Sequence, residues 1–246
     1  MLSWLFPITC VRCGERSDLA LCSACRAALA RMPRPICLYC GTPVAGEQED
    51  PYHCSQCKSR PRSFSFARSA LMQDEDSLTL VHDFKYHRAN YLAPAFAACM
   101  AGLWEETPAL RCFNDWQLVP VPISPQHLRK RGYNQAEELA TCLGRRLRLP
   151  VWDCLERLST GITSQTRLSA QERQRHARKA YAVRKCFLSK PSPSPHLLIV
   201  DDVYTTGSTA RACAHALAEL PGVKAVGVIT LLRAGHTPAA ITAQHP

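Results

Sequence analysis

Eight of the fourteen cysteines fall within the first 57 residues as four Cys-x-x-Cys pairs: Cys10 with Cys13, Cys22 with Cys25, Cys37 with Cys40, and Cys54 with Cys57. Such a turn presents two thiolates to one ion, and zinc takes four soft ligands in a tetrahedron. Four repeated pairs therefore predict two structural Zn2+ sites. Eight residues separate Cys13 from Cys22, and thirteen separate Cys40 from Cys54. Those lengths allow sequential closure, Cys10, Cys13, Cys22, Cys25 and then Cys37, Cys40, Cys54, Cys57. They allow interleaved pairing equally. Gly14 and Gly41, each directly behind a pair, suit a tight knuckle turn. Cys99, Cys112, Cys142, Cys154, Cys186 and Cys213 have no ligand spacing and read as buried small hydrophobes. Two four-thiolate zinc sites would take residues 1–62 from a formal +3 to −1. That charge favours a metal-stapled structural or docking element over one that grips nucleic acid.

The second chemical signal is Leu197-Leu-Ile-Val-Asp-Asp-Val-Tyr-Thr-Thr-Gly-Ser-Thr209. An apolar strand is expected to end in two acids, with a hydroxyl-rich glycine turn and a helix behind them. Backbone N–H groups at such a turn attract phosphate. Gly207 allows close approach, and Thr205, Thr206, Ser208 and Thr209 can donate to phosphate oxygens. Asp201 and Asp202 can accept from sugar hydroxyls and hold a water-shelled Mg2+. No Walker-type Gly-Lys-Ser/Thr is present.

This 13-residue segment closely resembles the phosphoribosyl pyrophosphate (PRPP) signature of type I phosphoribosyltransferases. Val119-Pro-Val-Pro122, Arg129-Lys-Arg-Gly-Tyr-Asn-Gln135 with Leu139-Ala140, and Gln165-Thr-Arg-Leu-Ser169 with Glu172-Arg173 resemble the ComF/GntX family. His176 stands where that family's pattern leads one to expect Asn. The resemblance implies an N-terminal zinc ribbon on a phosphoribosyltransferase domain, linked to DNA uptake or to use of external DNA as a nutrient. It implies that Ser124–Asn134 forms the pyrophosphate loop, where Arg129, Lys130 and Arg131 neutralise the leaving group and Gly132 lets the backbone approach. Gly161–Lys179 then becomes a lid, with Arg167 and Arg173 as anion contacts. Asp201, Asp202, Arg129 and Arg131 would carry the chemistry, displacement of pyrophosphate from the anomeric carbon. Purine-using relatives often place an acid where this chain has Thr205, so purine salvage is not supported. Lys85 and His87 fall in the hood segment, about residues 63–115, as candidate acceptor or phosphate contacts or as a plain surface helix face. Two non-enzymatic readings stay open: a competence factor handling single-stranded DNA, with a helicase-like partner as one option, and a PRPP sensor.

The elements that must position these residues read as an α/β fold with a mostly parallel sheet and flanking helices. The expected division is a double zinc ribbon over 1–62 and a phosphoribosyltransferase-like domain over 63–246, with Arg60–Ser63 as the exit linker. Leu78, Val81 and Phe84 have helical spacing behind Asp74-Glu-Asp76, and Tyr91–Trp104 reads as a second helix. Gln117–Val121 reads as a strand, and Gln135–Arg148 as a helix with Asn134 as N-cap and Glu137 closing a capping box. Val151–Leu158 reads as a strand, Gly161–Lys179 as a long polar loop, and Lys190–Pro195 as a stiff connector. Leu197–Val200 reads as a buried parallel strand, Thr209–Leu220 as a helix and Val223–Leu232 as a final strand. Net charge is +10, and residues 126–190 alone carry net +10, with 15 basic and 5 acidic side chains. That stretch, which holds both expected phosphate loops, calls for a polyanion. The longest apolar stretch, Leu92–Trp104, is well below the roughly 20 residues of a membrane span. Met1–Thr9 lacks the basic start of a secretion signal, so a cytoplasmic location is expected.

Overall fold

A computed structural model describes residues 8–44, 52–59, 62–158, 180–188 and 191–235. Two short helices, α1 (Ser23–Ala27) and α2 (Ser55–Lys58), belong to the cysteine-rich module. Then follow β1 (Phe66–Met72), α3 (Glu75–Tyr86), α4 (Ala93–Ala101), α5 (Leu103–Glu106), α6 (Pro108–Arg111), β2 (Trp116–Pro120), α7 (Pro125–Arg131) and α8 (Gln135–Leu147). The chain continues with β3 (Leu155–Arg157), β4 (Tyr181–Val183), α9 (Lys185–Leu188), β5 (His196–Tyr204), α10 (Ser208–Leu217) and β6 (Ala225–Arg233). A four-stranded sheet has the order β1-β6-β5-β2 with every pair parallel, and β3 and β4 form a separate antiparallel pair.

The sheet is covered on both faces, which is why its strands are apolar nearly throughout. Residues alternate along β5: Leu198 and Val200 join a cluster with Phe84, Phe96, Leu139 and Leu143 from α3, α4 and α8. Leu197 and Ile199 join the opposite cluster with Ala210, Cys213 and Leu217 of α10.

The cysteine-rich module is built into this core. Cys10, Leu21 and Leu29 are buried in the same cluster as Phe66, Leu92 and Met100. The outer edge of β1 is closed by that module: Met72 N donates to Ala30 O at 2.8 Å and Ala67 N to Tyr39 O at 2.6 Å. Edge closure of this kind removes exposed strand N–H groups.

Several expected elements differ in extent. The Tyr91–Trp104 helix is three pieces, a 3-10 turn at Asn90–Leu92 followed by α4 and α5, broken at Gly102. The Val151–Leu158 strand shrinks to β3, while Val151 makes a lone parallel bridge with Leu118. In α3, Val81 and Phe84 face the core but Leu78 is exposed. Asn134 caps α8 by accepting from Ala136 N at 3.1 Å, but among the described residues Glu137 does not close the box. Cys99, Cys154 and Cys213 are buried as expected and Cys142 is half-buried, whereas Cys112 and Cys186 are exposed. Glycine inside α8 has a packing cause. A Cβ on Gly144 would lie 2.7 Å from Leu149 O and 3.0 Å from a Val151 methyl. Alanine would add about 1 kcal/mol of helix propensity, but the backbone oxygen cannot withdraw cheaply. Gly144→Ala is therefore expected to lower stability by about 1–3 kcal/mol, read from the midpoint of a urea denaturation curve.

Candidate functional site

Two metal centres are built on one plan. The Sγ atoms of Cys10, Cys13, Cys22 and Cys25 lie within 4.8 Å of one another, as do those of Cys37, Cys40, Cys54 and Cys57. Grouping is thus sequential, which removes the interleaved alternative. In each centre the first pair sits in a hairpin knuckle, held by the bridges Thr9–Arg16 and Ile36–Pro43. Gly14 (φ 76°) and Gly41 (φ 70°) take the left-handed turn, donating to Cys10 O at 2.8 Å and Cys37 O at 2.9 Å. The second pair opens a short helix, with Cys22 and Cys54 as N-caps of α1 and α2. Four sulfur donors without an open fifth position fit structural Zn2+, which supplies a cross-link rather than chemistry.

The second site lies where β5 meets α10. The strand does not end at the acids, because β5 pairs with β6 through Asp201–Thr230 and on to Tyr204–Arg233. Asp201 shares a cleft with Thr205, Gly207, Ser208, Thr209 and Thr230 under the N-terminus of α10. Burial, reinforced by the adjacent Asp202 carboxyl, pushes Asp201 well above the usual carboxylate range. Gly207 (φ 73°) is the N-cap of α10, and a Cβ there would collide with the Tyr204 hydroxyl. Only glycine fits this conformation and this approach. Thr205, Thr206 and Ser208 are exposed, and Thr206 Oγ1 donates to Ser208 Oγ at 3.3 Å.

Asp202, whose carboxyl also acts on Asp201, forms an ion pair with Lys85 Nζ at 2.8 Å. Lys85 lies on the last turn of α3, next to Tyr86, and that turn also meets the Arg129–Asn134 stretch. Arg131 stacks over the Tyr86 ring at 5.0 Å and donates to Gln135 Oε1 at 2.9 Å, and Lys130 lies 5.8 Å from the same ring. The Tyr133 hydroxyl donates to Phe84 O, and burial pushes that phenol up to about 12. Both expected phosphate segments therefore converge on one turn of α3. With side chains only 21% and 12% exposed, the Lys85–Asp202 pair is sheltered. Lys85→Met leaves the carboxylate without its cation and is expected to cost about 2–3 kcal/mol at neutral pH. Thermal melting of Lys85→Met, Asp202→Asn and the double variant isolates the coupling between them.

One expectation is corrected in form. Ser124–Asn134 is largely the helix α7, N-capped by Ser124 and ended by Gly132 (φ 85°), not an open loop. Arg129, Lys130 and Arg131 thus occupy a helix C-terminal turn, where cations complement the backbone dipole. Arg129 and Lys130 are exposed and have room to meet an anion. His87 caps the end of α3, exposed, with Nδ1 2.8 Å from Asp83 Oδ1. His82, Asp83 and His87 also place three donor atoms within 4.8 Å on that exposed face. Arg167 and Arg173, with the whole Gly161–Lys179 segment, lie outside the described residues. Sequence reasoning missed Arg211, whose guanidinium would come 3.2 Å from a Cβ on Gly207, and Arg233, which stacks on Tyr204. Arg211, four residues beyond Gly207 in the helix opened by the glycine turn, is legible from spacing alone. Oxygen acceptors, hydroxyl donors and a helix N-terminus together suit a phosphorylated sugar and a hard cation. Among the described residues no helix is long and apolar enough to cross a membrane.

Residues 1–58 match the double zinc ribbon domain family. The chain is 30% identical over 217 residues to the DNA utilization protein YhgH of Escherichia coli (strain K12), covering 87% of this chain and 90% of that protein. It is 26% identical over 233 residues to competence protein F of Haemophilus influenzae, covering 93% and 98%. Competence protein ComFC of Bacillus subtilis is 25% identical over 232 residues, covering 89% and 86%.

Proposed function

The chain belongs to the family of the DNA utilization protein YhgH and the competence proteins F and ComFC, and from that premise we propose that it is a PRPP-binding, Mg2+-dependent phosphoribosyltransferase-like protein serving DNA uptake or the use of external DNA. The observation that carries this reading is the cleft of Asp201, Thr205, Gly207, Ser208 and Thr209 at the start of α10. In this reading the cleft is a phosphate cradle, and the Asp201 carboxyl faces the sugar. In this reading the functional division is a zinc-stapled module over 1–62 and a ligand-binding domain over 63–246.

Backbone N–H groups after Gly207, with the hydroxyls of Thr205, Thr206, Ser208 and Thr209, receive the 5-phosphate. Asp201 and Asp202 accept from the ribose hydroxyls, and Lys85 holds the Asp202 carboxylate in place. Mg2+, carried with PRPP, supplies charge neutralisation at the pyrophosphate. Arg129, Lys130 and Arg131, together with Arg167 and Arg173, neutralise the departing pyrophosphate in an oxocarbenium-like displacement. Thr205 offers no base toward a purine, and Lys85 and His87 border the acceptor side. Calorimetric titration with Mg2+ and PRPP, followed by a nucleobase screen for pyrophosphate release, tests the assignment. Absence of PRPP binding would overturn it.

A second reading draws on the helical form of α7. Its basic turn is exposed rather than wrapped into a cradle, which suits a protein that keeps the fold and handles single-stranded DNA without transferring ribose. That reading expects DNA affinity with a steep salt dependence, indifferent to PRPP. Competition between DNA and PRPP would instead put both ligands on one basic surface.

A further inference from the structure

The second cysteine centre and the phosphate turn are joined by two buried side chains. Arg233, 4% exposed at the end of β6, donates to Cys40 O at 2.7 Å, points a second nitrogen at Cys40 Sγ at 3.9 Å, and bonds the Thr42 hydroxyl. Its guanidinium carbon lies 4.3 Å from the ring centroid of Tyr204, which is equally buried. The Tyr204 hydroxyl in turn abuts Gly207, with no space left for a Cβ. A small cavity spans the gap, lined by Cys40 and Cys57 on one side and Thr205, Thr206 and Arg211 on the other.

We propose that Arg233 is a positioning residue through which the second zinc centre holds the phosphate turn, so that phosphate-ester binding at Thr205–Thr209 depends on metal at Cys37, Cys40, Cys54 and Cys57. The proposal rests on the reading of that turn as a phosphate site. Four thiolates around Zn2+ carry net −2, and a buried guanidinium is stable only beside an anion. Among the described residues that anion is the cysteine cluster. Removing the metal frees the Cys37–Cys40 knuckle, whose Cys40 O and Thr42 hydroxyl hold Arg233; Arg233 then moves, and Tyr204 loses the cation that fixes its ring. The turn packed against Tyr204 then relaxes. Coupling is reciprocal: a ligand that fixes the turn must also be felt at the metal. Hydrogen bonding from outside the ligand set is a general lever on a metal–thiolate bond.

The test uses the full chain with Co2+ in place of zinc, because four-sulfur Co2+ reports its ligand field in visible absorption. Mg2+ with PRPP is expected to shift the bands of one of the two cobalt ions, with a half-saturation equal to the calorimetric Kd. Arg233→Met should retain two metal ions per chain, lose the shift, and bind PRPP at least tenfold more weakly. Arg233→Lys, which keeps the charge and loses the fork, should fall between. PRPP binding to the unmodified chain with no spectral shift, and with equal affinity in Arg233→Met, overturns the proposal and leaves the phosphate site standing. No PRPP binding to the unmodified chain overturns the phosphate reading and this proposal with it. Should Arg233→Met fail to fold, the cobalt spectrum of the unmodified chain decides alone.

Discussion

Replacing Asp201 and Asp202 together by Asn is expected to weaken Mg2+-dependent PRPP binding by two orders of magnitude or more while leaving both metal centres filled. Hydrogen bonds to charged groups contribute about 1.5–3 kcal/mol each. Two carboxylates reduced to amides therefore remove about 3–6 kcal/mol, and each 1.4 kcal/mol is tenfold in affinity. The fold should survive, because the amide oxygen introduced at position 202 can still accept from Lys85, which now reaches Asp202 at 2.8 Å. Asp201→Asn removes a group whose charge burial already opposes, so any stability lost at neutral pH should come from Asp202→Asn, which takes the anion from Lys85. Calorimetry measures the affinity, and metal analysis with circular dichroism confirms an intact chain. Affinity unchanged within twofold would remove the acids from the site.

Much of the arrangement is legible in the sequence where local physics decides it. The four Cys-x-x-Cys pairs and the glycines behind two of them specify the knuckles, since both glycines take the left-handed turn. β5 and β6 are readable because strands buried on both faces must be apolar at successive positions. Helix α7 is also readable: Ser124, Pro125 and Gly132 are N-cap, first-turn and C-cap signals. The resemblance to a loop masks them. Strand β1 leaves a weaker trace, because Arg68 and Ser69 interrupt its apolar run, and its burial comes from the cysteine module lying along its edge.

What no spacing reveals are the contacts that define the site. Lys85 meets Asp202 across 117 residues and Arg233 meets Cys40 across 193. Both pairings depend on how the strands are ordered. Placing β5 between β6 and β2 brings α3 over one acid and α10 over the other. The twin acids look like one bidentate feature in the sequence. On the strand they take separate surroundings, Asp202 the Lys85 ammonium and Asp201 the cleft under α10, while their carboxyls still act on each other.

Stripping both metal ions with a chelator is expected to lower the melting temperature of the whole chain by at least roughly 10 °C, in one cooperative transition. The zinc centres are not beads on a tail. Leu21 and Leu29 are fully buried in the cluster that holds Phe96 and Leu139, and Ala30 and Tyr39 close the edge of β1. Structural zinc contributes about 10–16 kcal/mol of apparent binding free energy in isolated fingers. If only about 5 kcal/mol of that reaches the domain, a chain of this size loses roughly 10–20 °C. Leu21→Ala, which opens a cavity at the same seam, should reproduce part of the effect at about 2–5 kcal/mol with zinc still bound. Calorimetric melting of the loaded and stripped chains gives the answer. An unchanged melting temperature would show that the module rests on the domain without supporting it. A large drop would mean that the metal, the edge strand and the sheet it closes stand or fall as one unit.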